Sequence, residues 1–204
     1  MDDNDSAEEL TRQCYIDQFR MTVPDRYAQL CLGKTMPALK DGQKRHWAKI
    51  KDAISKNWDS YIYGPSGVGK TVVAILAGRL IAHRCRKVRF ESASKLCREL
   101  HESFNNNLTA NEIQYLFSAE MLVLDDVDKM HFTKLSVKFL HELVEHRTSE
   151  LKPTITTSNL SPGELIEELG RQHGTPIISR LVATPTVVIK MDGEDLRLEH
   201  DNHV

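Results

Sequence analysis

Residues 64–71 read Gly64-Pro65-Ser66-Gly67-Val68-Gly69-Lys70-Thr71, which fits the spacing G-x-x-x-x-G-K-[ST] without a gap. The chemistry this spacing serves is the holding of a polyphosphate. Glycines let the backbone curl until its N–H groups converge on phosphate oxygens. A helix that opens on the turn adds its positive end. A lysine here reaches the β- and γ-phosphates, and the following hydroxyl can face Mg2+. An apolar run, "YIY", precedes the turn and another, "VVAIL", follows it. That strand–turn–helix context separates a phosphate cradle from a chance glycine turn. All eight residues are therefore assigned to nucleotide binding. Lys70 is also assigned to catalysis and Thr71 to the metal.

Two carboxylates could complete the site. "LVLDD" puts Asp125 and Asp126 at the end of an apolar run. In an open α/β sheet, ligands bind at the carboxyl ends of the strands, so acids at such a tip would face the cradle's mouth. Asp125 is assigned to Mg2+ and Asp126 to orienting and polarising the attacking water. Asp128 is expected to be exposed. A third run, "TITTSN", ends on Asn159. Its amide could hydrogen-bond either the γ-phosphate or that water, or it could simply cap the next helix.

These groups need a scaffold of alternating strands and helices. Strands are predicted over residues 60–63, 87–92, 120–126, 153–159 and 184–191. The continuously apolar third run is of the kind buried on both faces of a parallel sheet. Helices are predicted over 70–84, amphipathic, and over 94–103 and 135–147. Ser161, Pro162 and Glu164 mark a helix start at "SPGELIEEL". Before the alternation, a helix is predicted from Ser6 to about Phe19, broken at "VPDRY" (23–27), and another over 43–55. "HESFNNNLTANE" (101–112) is expected to be a mobile loop. The pattern argues for a three-layer α/β domain with a five-stranded sheet.

Composition narrows the class. The chain has 204 residues, 40% apolar and 27% charged, with a formal net charge of −2. That balance suits one globular domain and gives no global basic signal for nucleic acid. The stretch "HRCRKVR" (83–89) could face DNA, but cations at a helix end need no DNA to explain them. The four cysteines lack metal or disulfide spacing and read as reduced thiols, pointing to the cytoplasm. The acidic start "MDDNDSAEEL" has no apolar core, so it is not read as a signal peptide. No run reaches the roughly 18 apolar residues of a membrane span.

The order "GPSGVGKT", "LVLDD", "PTITTSNLSPGEL", "ISRL" and "GEDLR" resembles the AAA+ ATPases of the DnaC helicase-loader and IstB transposition-helper group. "VPDRY" resembles the segment that leads into that group's nucleotide site. The resemblance covers residues 23–198, with residues 1–22 as a short N-terminal extension and 23–204 as the ATPase domain. It implies a P-loop NTPase sheet of AAA+ type, all parallel, in the order 5-1-4-3-2. Little sequence follows "GEDLR", a departure from the group, so the lid is expected to be reduced or absent. The resemblance implies ATP and Mg2+ as cofactors, Asn159 as sensor 1 and Arg180 as an arginine finger reaching a neighbouring subunit. Arg197 would be the sensor 2 arginine, acting on its own subunit's nucleotide. Tyr27 could stack on the adenine or make a plain structural contact.

The implied function is slow ATP hydrolysis in DNA replication, stimulated by homo-oligomeric assembly or by DNA. The expected task is to load a replicative helicase on single-stranded DNA. The alternative is a helper that binds duplex DNA and stimulates a transposase. A nucleotide-dependent scaffold with little turnover is a third reading. A small-molecule kinase would need an acceptor pocket and an arginine-rich lid, and the sequence offers neither.

Overall fold

A computed structural model of the protein describes residues 3–106, 113–183 and 185–196. Residues 107–112 of the expected mobile loop lie outside the described residues, as does Arg197. Residues 101–106 continue a helix.

Among the described residues, five strands form one parallel sheet. They are β1 (Asp59–Tyr63), β2 (Val88–Ser92), β3 (Met121–Asp125), β4 (Thr154–Ser158) and β5 (Thr186–Lys190). Their spatial order is β2-β3-β4-β1-β5, which is 5-1-4-3-2 read from the other edge. The register brings Tyr63 beside Ser158, and Asp125 beside Ser92. The carboxyl ends of β1, β3 and β4 thus share one edge of the sheet.

Side chains alternate across it, as a strand's two-residue period requires. Ile62, Val123 and Ile155 enter one core, while Tyr61, Leu122 and Leu124 enter the other. The first core is covered by α1 (Asp3–Arg20), α2 (Asp25–Cys31), α3 (Asp41–Ser55) and α4 (Lys70–Ala82). The second lies beneath α5 (Ala93–Asn106), α6 (Gln114–Ser118), α7 (Lys134–Ser149), α8 (Pro162–Leu169) and α9 (Arg171–Leu181). The three layers and the parallel order match the expectation.

Helix α4 differs from it. The amphipathic reading required an exposed face, but residues 73–78 are all buried. The reason is that α1, α2 and α3 pack around it on the same side of the sheet, all three contacting α4 and two of them also the strands. Phe19 of α1 lies directly on Gly78, so a Cβ there would meet its ring. α1 also protects the β2 edge: Thr22, just past its end, accepts a hydrogen bond from the Phe90 N–H at 3.0 Å. An edge strand otherwise offers such groups to other chains.

A second set of contacts holds the far end of β4. Arg147 of α7 is 1% exposed. Its guanidinium donates to the carbonyls of Leu116, Ala119 and Pro153 and to Thr154 Oγ1. Burial pulls its pKa down to about 10, with Asp59 nearby acting in the opposite direction.

Candidate nucleotide-binding site

The turn between β1 and α4 is built on left-handed backbone. Gly67 has φ +83° and Gly69 φ +95°, angles that cost a residue with a Cβ dearly. Space is closed as well as conformation. A Cβ on Gly67 would strike the Asp195 carboxyl group, and one on Gly69 would strike the Gln43 amide nitrogen. Gln43 is buried and its Oε1 accepts from the Lys40 N–H at 2.9 Å. The Leu196 N–H donates to Gly67 O at 3.1 Å, so the end of the "GED" segment is tied to the turn. Gly69 caps α4, whose first residue is Lys70.

Lys70 is 5% exposed. Its ammonium donates to Gly64 O and Pro65 O at 2.8 Å each and to Asn159 Oδ1 at 2.9 Å. These three oxygens are neutral. The charged oxygens of a phosphate would suit the same ammonium better. The Ser66 hydroxyl also donates to Asn159 Oδ1, at 3.2 Å. Asn159, expected from its place at the end of β4, therefore does face the turn.

Thr71 Oγ1 donates to Asp125 Oδ1 at 2.9 Å, and Thr157 Oγ1 donates to the same oxygen at 2.7 Å. Burial pushes the Asp125 carboxyl up to about 6, an effect reinforced by Asp126 and opposed by the two threonine hydroxyls and Lys70. A hydroxyl and a carboxylate are hard oxygen donors of the kind Mg2+ takes. A cation there would also offset the penalty that burial imposes on the Asp125 charge. Both the phosphates and the metal thus fit the residues present.

Asp126 sits at φ 52°, ψ 54°, a left-handed conformation that is uncommon outside glycine. Its N–H donates to Thr157 Oγ1 at 2.8 Å. Thr157 therefore holds both acids, one through its proton and one through its lone pair. Sequence reasoning passed over it. The residue pattern offers no signal for it, because β4 reads Thr-Ile-Thr-Thr-Ser and Thr157 is one of several buried hydroxyls in that strand.

The left-handed turn at Asp126 leads into a short 3-10 turn over Val127–Lys129. This overturns the expectation for Asp128. Its side chain is 3% exposed and lies against the end of β4. The Asn159 N–H and Nδ2 donate to its two oxygens at 2.8 Å each, and Ser158 Oγ donates at 3.1 Å. Burial alone would raise its pKa, but the Asn159 bonds and Lys129 together hold it below the usual carboxylate range. Chain reversal after β3, which the residue pattern does not reveal, turns an apparent surface acid inward.

Two other residues stand apart from the turn. Arg180 of α9 donates to Pro176 O and to Glu145 Oε1 at 3.0 and 3.1 Å, and its side chain is 33% exposed. Tyr27 packs on the first core, with the Arg26 guanidinium 4.5 Å from its ring centre. In the basic stretch, Arg86 pairs with Glu120, and Arg89 lies over the Tyr115 ring and near Glu91. The four cysteines are free thiols.

The model of the IstB-like ATP binding proteins matches residues 47–204, a span that holds the phosphate turn, the paired acids and Asn159. The chain belongs to this family. It is an ATP-binding AAA+ protein of IstB/DnaC type. An ATP-binding protein of an insertion sequence from Mycobacterium tuberculosis is 30% identical over 120 residues, 56% of this chain and 48% of that protein. The replicative helicase loader DnaI of Bacillus subtilis is 27% identical over 118 residues, 57% of this chain and 38% of that one. The chain therefore spans about half or less of the length of these two relatives. Among solved structures, that of DnaI superposes with a TM-score of 0.69 at 19% identity, over 86% of this chain and 94% of that one. At such identity the superposition speaks for the fold of this IstB-like chain and for nothing further. No helix among the described residues is long and apolar enough to cross a membrane.

Proposed function

We propose that this chain hydrolyses ATP with Mg2+ at the β1–α4 turn and uses the cycle to control a second machine on DNA. The observation that carries this reading is one cluster of contacts. Lys70 reaches Asn159 across the turn, and Thr71 reaches Asp125 beside it. The tips of β1, β3 and β4 thus present a cation, a metal-type oxygen pair and an amide to one small volume.

The roles follow from the groups. The N–H groups of residues 64–71 and the Lys70 ammonium would hold the phosphates. Thr71 and Asp125 would hold Mg2+, which when bound draws charge from the phosphate oxygens. Asp126 would orient the attacking water and accept its proton, while Asn159 fixes the geometry. Arg180, and Arg197 beyond the described residues, are proposed as arginines acting on the nucleotide of a neighbour and of the same subunit. ATP would then favour homo-oligomers. The expected setting is the cytoplasm.

For the task on DNA we favour two readings. The DnaI relative supports loading of a replicative helicase on single-stranded DNA. The insertion-sequence relative and the family description support a helper that binds duplex DNA and stimulates a transposase. Affinity capture from the native host separates them by whether a hexameric helicase or a transposase is retained.

Lys70→Ala tests the site itself. Loss of ATP binding in a titration, with an unchanged thermal melt, is the expected result. Unaltered ATP affinity would refute the assignment of the turn. Wild-type protein that binds ATP but never releases phosphate, alone or with DNA, would favour a nucleotide-dependent scaffold.

A further inference from the structure

The site contains an acid with no part in the proposed chemistry. Asp128 hydrogen-bonds to neither the phosphate turn nor Asp125, yet its carboxylate is almost completely enclosed. Three donors from two consecutive residues of β4 and its exit converge on it. These are Ser158 Oγ, the Asn159 N–H and the Asn159 side-chain amide.

The sense of the Asn159 amide is fixed by its neighbours. An ammonium has donors only, and an ionised carboxylate has acceptors only. The amide oxygen must therefore face Lys70, at 2.9 Å, and the amide nitrogen must face Asp128, at 2.8 Å. Ser66 adds a second donor on the oxygen's side. The Ser158 hydroxyl, held on Asp128, also accepts from the Leu160 N–H at 3.0 Å, and Leu160 O accepts from Tyr61. The peptide carrying Asn159 is therefore anchored on both sides.

We infer that Asp128 is a positioning residue that clamps the Asn159 amide so that its carbonyl oxygen, an acceptor, is the atom offered to the reacting centre. This inference rests on the hydrolytic reading above and adds a polarity to it. Phosphate oxygens are acceptors and gain nothing from a carbonyl. A water molecule poised for attack carries protons and does. Asn159 then holds the water, alongside Asp126, and restrains Lys70. It is not a donor to the γ-phosphate.

An exchange of the two side chains tests this. In Asp128→Asn, the new amide must give its oxygen to the Asn159 N–H and Ser158, which sets its NH2 against the NH2 of Asn159. Asn159 then turns over and presents nitrogen to the centre. The expected result is a fall in kcat of about 10²-fold, the scale of a misplaced reacting group, with ATP affinity within about threefold of wild type. In the double variant Asp128→Asn with Asn159→Asp, the NH2 introduced at position 128 can donate to one oxygen of the carboxylate introduced at position 159. The other oxygen faces the centre as an acceptor, and no side-chain donor remains at position 159. Recovery of most of the lost kcat at saturating ATP is expected. A single variant within twofold of wild type would overturn the clamp. A double variant no faster than the single one would overturn the polarity.

A second measurement does not depend on turnover. In 15N-labelled wild-type protein without nucleotide, the Asn159 side-chain NH2 is expected to exchange slowly with solvent. The protection should be lost in Asp128→Ala. Rapid exchange in the wild type would overturn the clamp whether or not ATP is hydrolysed. Slow exchange in a protein inert towards ATP would remove the hydrolytic reading and leave the clamp standing.

Discussion

Thr71 Oγ1 donates a hydrogen bond to Asp125 Oδ1 at 2.9 Å. This joins the first turn of α4 to the tip of β3 across 54 residues of sequence, and it does so at the two oxygens proposed for the metal. Thr157 completes the arrangement from β4, with its hydroxyl on the same Asp125 oxygen at 2.7 Å. Three strand-associated elements thus set the spacing of one carboxylate.

The first prediction concerns that third element. Partners that orient a metal ligand from behind typically contribute about 10–100-fold in metal affinity. Thr157→Val keeps the β-branched shape and removes both the bond to Asp125 and the acceptor for the Asp126 N–H. Its apparent Mg2+ affinity in ATPase titrations is expected to fall by about that factor, while Thr157→Ser stays near wild type. ATP binding measured in EDTA should not change in either variant. An equal loss with and without Mg2+ would show that Thr157 supports the fold around the turn and not the metal oxygens.

Much of this site could be read from residue order, and the reasons are local. The phosphate turn announces itself because glycine, lysine and threonine are each required within eight consecutive positions. Asp125 is legible because it follows an apolar run that can only be an inner strand, and Asn159 because it ends a run rich in β-branched threonine and isoleucine, a strand pattern. What escaped depends on tertiary context. Pro24 looked like a helix breaker, yet proline is well suited to the start of a helix, and α2 begins directly after it. The residue pattern predicts no helix at α9, because Gly174 and Pro176 interrupt it. Asp128 looked exposed because neither the left-handed turn at Asp126 nor the proximity of β4 is written in the nearby residues.

The second prediction concerns the opposite end of the sheet. Arg147 supplies donors to three backbone carbonyls and to Thr154. Arg147→Met fills similar space but leaves those buried acceptors without partners. A buried acceptor left without a partner costs about 1–3 kcal/mol. A corresponding drop in the urea midpoint is expected. Because the carboxyl tips of β1, β3 and β4 lie at the other end, the protein that remains folded should bind ATP as wild type does. Loss of ATP affinity in the folded fraction would contradict this separation.

The third prediction is a pH dependence. Burial raises the Asp59 carboxyl above its ordinary value of 3.8, with the Thr154 N–H and Arg147 opposing the rise. The folded state therefore binds this proton more tightly than the unfolded chain. The charge on Asp59 costs stability progressively as pH climbs from 3.8 through the raised value, and the cost is constant above it. Asp59→Asn removes that dependence. The unfolding free energy of the variant relative to wild type should rise as pH climbs above 3.8 and level off beyond the raised value. Urea titrations at several pH values across that interval measure it directly. A difference independent of pH, or one moving the other way, would show that the Asp59 charge is satisfied by Thr154 and Arg147 despite its burial.

The last prediction concerns Arg180. Within one chain its guanidinium is spent on Pro176 O and Glu145, with neither Lys70 nor the acids among its hydrogen-bond and ion-pair partners. If it serves a neighbour's nucleotide, the Glu145 pair must open when subunits meet. That pair is about one-third to one-half exposed, and exposed pairs contribute only about 0–1 kcal/mol. Glu145 is thus a weak competitor for a triphosphate. Arg180→Ala should lower kcat by about 10³-fold or more, the range for an arginine supplied in trans, and leave ATP binding by dilute monomer intact. Glu145→Gln should keep wild-type turnover or raise it slightly. Mixing Arg180→Ala protein with Lys70→Ala protein is the decisive measurement. The first retains a working cradle and the second a working arginine. Mixed assemblies should therefore regain activity that neither variant shows alone. No recovery at concentrations where the wild type assembles would place Arg180 outside the reaction and return it to the role its contacts with Pro176 and Glu145 describe, a brace between α9 and α7.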